Sequence, residues 1–307
     1  MSIGRSLLAL FVIPGLLYAV PMAWLMLWIE RKMRARMQGR IGPFFYQPFF
    51  DFVKLMAKRP IPRSSFDTLW MIGLPASAIG ALLASLALLP VFSTSSGFIG
   101  DLVLLIGLIE VPPLCAVLAG FASRSIFGQV GATREAILSI TYNLPFLTAI
   151  VALATSARSI RLTDIALAPS GAVRALVVVT LLLCLPVKLR VNPFSLSNAE
   201  QEIYAGPTTE FDGPRLALWE LAHGLEWVVL TGIVACIALP FRIGSGIADI
   251  AFFTLLSLIL VIMVTMIGAA TARLKISQAI NFYLKWSIGM AILAFIIAVL
   301  GGVALIP

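Results

Sequence analysis

Histidine, paired cysteine and charge are what this 307-residue sequence lacks. Its only histidine is His223. A lone histidine excludes bis-histidine haem within the chain. Cys115, Cys184 and Cys236 each stand alone in an apolar run. Without a CxxC pair, a protein-held iron–sulfur cluster or structural zinc is not expected, so no cofactor and no metal are assigned to this chain. Only 12% of residues are charged while 60% are hydrophobic. Soluble domains carry about 25% charged residues, which excludes an ordinary soluble domain and implies a polytopic membrane protein. The net charge of +8 therefore reports membrane topology and not a nucleic-acid partner.

The apolar residues are arranged in long runs. Eight approach the length needed to cross a bilayer, about 6–29, 67–92, 98–121, 133–156, 171–190, 215–239, 247–271 and 284–306. The expected fold is an all-α membrane protein of about eight transmembrane helices, forming one domain over 1–307. The first run, Leu7 to Ile29, is too long for the core of a cleavable signal and reads as a retained anchor. With the N-terminus outside, seventeen of the 22 Lys and Arg fall on the inner side and five outside. The positive-inside rule then places both termini outside and loops 30–66, 122–133, 191–214 and 272–283 in the cytoplasm.

The first inner loop opens ERKMRARMQGRIGP, turns at Gly42-Pro43, and continues as FFYQPFFDFVKLMAKR. Aromatic and basic residues mixed at helical spacing fit an amphipathic helix lying in the membrane interface. The long loop before the sixth span is acidic. Between Asn198 and Trp227 lie Glu200, Glu202, Glu210, Asp212, Glu220 and Glu226, six of the fourteen acids, together with His223. Its Gly206-Pro207 and Gly213-Pro214 pairs predict two turns. Its apolar Ile203 and Tyr204 predict a segment folded back on protein.

Ionisable groups at membrane depth are costly and mark candidate ion or ligand sites. Glu110 lies mid-span and directly before Pro112 and Pro113, which predicts a disturbed helix whose freed carbonyls could help bind a proton or sodium ion. Glu220, His223 and Glu226 follow at intervals of three, fanning across roughly 120° of one helix face. They form either a stepped proton relay or an intrabundle ion pair, with Arg215 or Arg273 as partners. An E-x-x-H pair without further ligands is a weak metal signal. Glu30 pairs with Arg34 at i+4, or faces a partner. Glu135 beside Arg134 carries the same two readings. Asp101 reads as solvated, Asp164 and Asp249 as structural, and Asp67 as a helix cap.

ERKMRARMQGRIGP and AEQEIYAGPTTEFDGPRLALWELA, with SRSIFGQVGATREAILSITYNLPF at 123–146 and ARLKISQAINFYLKW at 272–286, resemble the H subunit of respiratory complex I and its relatives in membrane-bound hydrogenases. Gly42-Pro43 reaches Gln47-Pro48 after only three residues, and Asn143 follows Tyr142 where complex I chains usually carry Glu. Both features are more similar to the archaeal membrane-bound hydrogenase and sulfane sulfur reductase branch. The Asn removes one family carboxylate, for which Glu110 is the candidate substitute.

The resemblance implies a membrane subunit that joins a peripheral electron-transfer module to proton or sodium translocation in a prokaryotic cell membrane. The implied partners are cluster-bearing and hydrogenase-like peripheral subunits, which would hold the iron–sulfur clusters and a nickel–iron-type site, antiporter-like membrane subunits, and the lipid bilayer. Glu30, Arg31, Lys32, Arg34, Arg36 and Arg40 would face the peripheral subunit. Glu200, Glu202, Glu210 and Asp212 would form the coupling loop. Glu135, Glu220 and Glu226 would begin the charged path. Competing expectations are a quinone-site subunit of a complex I-like dehydrogenase, a self-contained ion-coupled transporter built around midplane acids, and a purely structural anchor.

Overall fold

The computed structural model describes residues 15–61, 65–91, 100–123, 125–168, 171–198, 202, 206–238 and 246–303. Its long elements are α1 (Leu16–Met37), α2 (Gln47–Ala57), α3 (Ser65–Leu88), α4 (Asp101–Ala122) and α5 (Ile126–Ala157). They continue with α6 (Leu162–Leu167), α7 (Ala172–Lys188), α8 (Gly213–Ala238), α9 (Gly246–Ala270) and α10 (Ile276–Phe282). A π-helical turn, Tyr283–Ser287, joins α10 to α11 (Ile288–Val303). No strand occurs among the described residues. Apolar runs become helices here because hydrocarbon offers backbone N–H and C=O groups no partner, and a helix satisfies them internally.

Among the described residues, six helical stretches are long and apolar enough to cross a membrane: Trp70–Leu88, Asp101–Ala122, Ile126–Ala157, Gly213–Ala238, Ala248–Ala270 and Ile276–Gly301. The expected count of eight is not reached by length and composition. Of the other two expected spans, α1 turns strongly basic in its last two turns, and part of its apolar run lies outside the described residues. The other, α7, is only 17 residues long.

The helix α8 is the hub. It is 89% buried over its apolar window, against 28% for α9 and 22% for the terminal α10–α11 rod. Small residues let neighbours close on it, as they do between membrane helices. A Cβ on Gly224 would lie 3.0 Å from the Ala23 Cβ of α1, and one on Gly232 would lie 2.7 Å from the Phe253 ring of α9.

Both Gly-Pro turns of the acidic loop are present, with Gly206 and Gly213 at positive φ (57° and 46°), and Gly42 is likewise left-handed at 76°. Ile203 and Tyr204, on which the expected fold-back rests, lie outside the described residues. A 3-10 turn, Gly206–Thr208, presses on α5 so closely that a Cβ on Gly131 would meet the Gly206 Cα at 2.8 Å. The amphipathic α2 forms where expected. Trp24 of α1 packs edge-on to Phe49 at 5.0 Å, and Trp28 meets Phe45 at 5.4 Å. Phe50, Val53 and Met56 stay exposed.

Two expectations are corrected. First, α4 runs unbroken through Pro112 and Pro113, because prolines in a membrane helix are tolerated where neighbouring groups take up the freed backbone. Second, Asp101 is not solvated. It is 3% exposed and accepts a hydrogen bond from the Leu162 backbone N–H at 2.8 Å, capping α6 from another element. The chain after α7 stays inside the protein. Residues 189–197 are irregular yet interior, with Leu189, Val191, Phe194, Leu196 and Ser197 all buried. Their polar backbone is met locally, by bonds such as Val191 N to Pro186 O (2.8 Å) and Leu274 N to Pro193 O (3.0 Å). Of the remaining acids, Asp164 accepts from the Ser159 hydroxyl at 2.6 Å, and the side chain of Asp67 lies outside the described residues.

Candidate functional site: two buried ion clusters and an arginine-lined cavity

The short α7 sets the site. Because it ends at Lys188 and the next residues turn back into the protein, two cations separated by one residue are delivered to the interior. Lys188 Nζ lies 2.6 Å from Glu110 Oε1. Asn143 Nδ2 donates to Glu110 Oε2 at 2.7 Å. The lysine also sits over the Phe146 and Tyr142 rings, 4.3 and 4.7 Å from their centroids, where the ring faces help replace lost hydration. Glu110 is thus held by a cation and an amide, and not by carbonyls freed at the prolines. Asn143 and Glu110, the position of the missing family acid and its candidate substitute, are in direct contact.

Arg190 forms the second cluster. Its Nε bonds Glu135 Oε1 at 3.2 Å, and its Nη1 and Nη2 bond Glu226 Oε2 and Oε1 at 3.1 and 3.3 Å. All three side chains are less than a tenth exposed. The planar guanidinium suits this task, since its fork spans two acids in fixed geometry. Arg190 takes the left-handed backbone conformation, φ 54°, which aims its side chain inward from the buried turn. This corrects the expected partners of the α8 acids. Arg215 pairs instead with Asp212 at 3.2 Å, and Glu226 goes to Arg190.

The three-residue spacing on α8 becomes a gradient of burial. Side-chain exposure falls from 48% at Glu220 through 31% at His223 to 7% at Glu226. His223 Nδ1 is 3.2 Å from Glu226 Oε2, and the Trp227 indole donates to His223 Nε2 at 3.3 Å. An indole N–H can only donate, so Nε2 is the acceptor and Nδ1 carries the proton toward Glu226. Glu226 and Lys188 also line one small void, about 10 Å³, walled by Leu82, Ile109, Pro113, Tyr142 and Leu230. That is room for about one water between the clusters.

Most other candidate residues lie nearer the surface. Glu30 pairs with Arg34 as expected. Arg31 binds Asp51 of α2 at 2.8 Å and approaches Glu220 at 3.9 Å. Lys32 Nζ donates to Pro43 O at 3.5 Å, and Arg36 is exposed. Asp212 also accepts from the Ile61 N–H. Glu210 is half-buried, and Glu200 lies outside the described residues. Glu202 binds Arg134 at 2.6 Å, and this hydrogen bond and charge hold its carboxyl below the ordinary carboxylate value. Among the described residues no group of three His, Cys, Asp or Glu side chains is placed to hold a metal.

A cavity of about 840 Å³ opens between the basic end of α1, the buried turn after α7, α8 and the end of α9. Glu220, His223 and Trp227 form one wall, and Arg31, Arg34, Arg40, Arg190 and Arg273 line the rest with Glu30.

Comparison with known proteins agrees with this architecture. A family model described as NADH dehydrogenase matches residues 9–299. The hydrogenase-4 component C of Escherichia coli is 33% identical over 220 residues, 69% of this chain and 70% of that protein. The H-type subunit of an NADH-quinone oxidoreductase from Syntrophobacter fumaroxidans is 28% identical over 289 residues, 87% of each chain. A chain in the structure of the membrane-bound sulfane sulfur reductase, an archaeal respiratory membrane complex, superposes with a TM-score of 0.86 at 27% identity, covering 96% of this chain and 100% of that one. The chain belongs to the NADH dehydrogenase family of H-subunit-like membrane proteins.

Proposed function

We infer that this chain is the membrane subunit of a ferredoxin-linked redox complex of hydrogenase or sulfane sulfur reductase type, and that it couples electron transfer in a peripheral module to proton or sodium movement. The observation that carries the reading is the succession Glu220, His223, Glu226, Arg190 and Glu135, followed across a one-water void by Lys188, Glu110 and Asn143. Buried ion pairs contribute little net stability over apolar packing, so two of them joined end to end are better explained by charge movement than by strength. The exposed end of the succession lies at the cavity, where a peripheral redox centre would act. Its inner end lies among α4, α5 and α7, where antiporter-like subunits would continue the path.

Glu200, Glu202, Glu210 and Asp212 are the proposed coupling loop, pinned at one point by Arg134 and at another by Arg215. Glu30 to Arg40 are the proposed contact with the peripheral subunit. Both termini lie outside a prokaryotic cell membrane, with α2 flat on its inner surface. The iron–sulfur clusters and a nickel–iron-type centre belong to the partners.

The test is ion uptake per electron by the assembled complex in proteoliposomes. E226Q and E110Q should each lower that ratio at least tenfold while electron transfer and subunit content persist. Wild-type ratios in both variants would remove the coupling role. The likeness to an H-type chain of an NADH-quinone oxidoreductase keeps a quinone site in view as a second reading. It requires quinone-dependent turnover in the same preparation.

A further inference from the structure

His223 is engaged at both ring nitrogens. Nδ1 holds the hydrogen that faces Glu226 Oε2 at 3.2 Å, and the lone pair on Nε2 receives the Trp227 indole N–H at 3.3 Å. The side chain is still 31% exposed and lines the arginine-rich cavity. What limits uptake of a second proton is therefore the occupied lone pair and not access. Trp227 stands four residues after His223, on the same face of α8, and is only 1% exposed. A buried indole N–H needs an acceptor and cannot itself act as one. With a proton on Nε2, two donors would face each other. The indole N–H would then be buried without its partner, which is costly.

We propose that Trp227 is a positioning residue: its indole keeps His223 neutral with the single ring hydrogen aimed at Glu226, and it must leave Nε2 before His223 can accept a proton from water in the cavity. The proton balance sets the order of events. A proton added at Nε2 makes an imidazolium. Nδ1 then gives its own proton to the Glu226 carboxylate, and the ring is left neutral with its hydrogen on Nε2. That tautomer sets two donors face to face, so the indole stays displaced until Nδ1 carries the hydrogen again. This consequence for transfer rests on the reading of the chain as a coupling subunit, whereas the hold of the indole on Nε2 does not.

The test uses the full chain in lipid nanodiscs at neutral pH, with a histidine-free tag and isotope-labelled histidine ring nitrogens. His223 is the only histidine, so one pair of ring-nitrogen resonances reports it. The wild type should show a neutral ring with its hydrogen on Nδ1. Benzothienylalanine in place of Trp227 keeps the shape of the side chain and removes only the N–H. It should raise the ratio of doubly to singly protonated His223 roughly fivefold, the effect of losing one ordinary hydrogen bond. Fluorotryptophan, which keeps the N–H, should leave the ratio as in the wild type. The charged groups around the ring are the same in all three proteins: Glu220 and Glu226 on α8, Arg190 on the buried turn, Glu30, Arg31 and Arg34 on α1, and Arg273 after α9. A ratio unmoved by benzothienylalanine would overturn the proposal, as would an equal rise with fluorotryptophan. So would a wild-type ring that carries its hydrogen on Nε2 or is already doubly protonated. If the isolated chain fails to fold, the assembled complex is measured and the spectrum of an H223Q complex is subtracted. None of these readouts uses ion movement. Unaltered ion uptake per electron in E226Q and E110Q would therefore sink the coupling function and leave the hold on His223 standing.

Discussion

Lys188 and Arg190 are separated by one residue and solve different problems. Arg190 serves two carboxylates in a site where every member is nearly dry. Lys188 is itself only 3% exposed, yet its single acid, Glu110, is 28% exposed. The lysine completes its surroundings with aromatic faces and the arginine with a second acid. A forked cation therefore suits the enclosed two-acid cluster, and a point charge suits the site with a single acid. Removing a cation should hurt in proportion to how enclosed the orphaned acids are.

The largest effect is expected from R190A, which leaves Glu135 and Glu226 buried without their counter-ion. The loss should be about 3–5 kcal/mol, read by unfolding in detergent, with R190K recovering only part because an ammonium cannot fork. A K188M variant should lose less, about 1–3 kcal/mol, since Glu110 keeps the hydrogen bond from Asn143. Adding E110Q to K188M should restore most of that loss, and a double-mutant cycle without coupling would deny the pair. N143L should be milder still, about 1 kcal/mol. It removes the donor to Glu110 but also a buried Asn143 Oδ1 that has no hydrogen-bond partner.

The smallest effect concerns the exposed Arg134–Glu202 pair, with side chains 22% and 51% exposed. Its carboxyl is held below the ordinary value, so its contribution is fully present above the unfolded carboxylate value and disappears as pH falls through the lower folded one. Amide exchange in the neighbouring 206–212 turn should accordingly rise only in acid, and R134Q should remove that pH dependence.

The features with a period or a fixed punctuation mark were legible in the sequence. Alternating aromatic and basic residues announced α2, Gly-Pro pairs announced both turns of the acidic loop, and i+4 spacing announced Glu30 with Arg34. The spacing of Glu220, His223 and Glu226 marked the right face of α8. It could not identify the partner, because Arg190 stands in irregular backbone that has no period to read. Lys188 and Arg190 therefore read only as positive charge beside a cytoplasmic loop. The one available signal was local: Pro186 and Asn192-Pro193 bracket both cations, Leu189 separates them, and the apolar Val191, Phe194 and Leu196 follow. Asp101 escaped for a similar reason, since its partner is a backbone N–H some sixty residues away.

Arg190 also carries a mechanical consequence. A left-handed backbone costs a residue with a Cβ roughly 1–2 kcal/mol, and the ion pairs to Glu135 and Glu226 hold the residue against that cost. Neutralising either acid removes one of the two tethers, leaving the peptide between α7 and the buried 191–197 turn free to relax toward the right-handed region. The residue is a cocked spring whose catch is the charge on two carboxylates, and E135Q or E226Q should release it, read as faster amide exchange at 189–191.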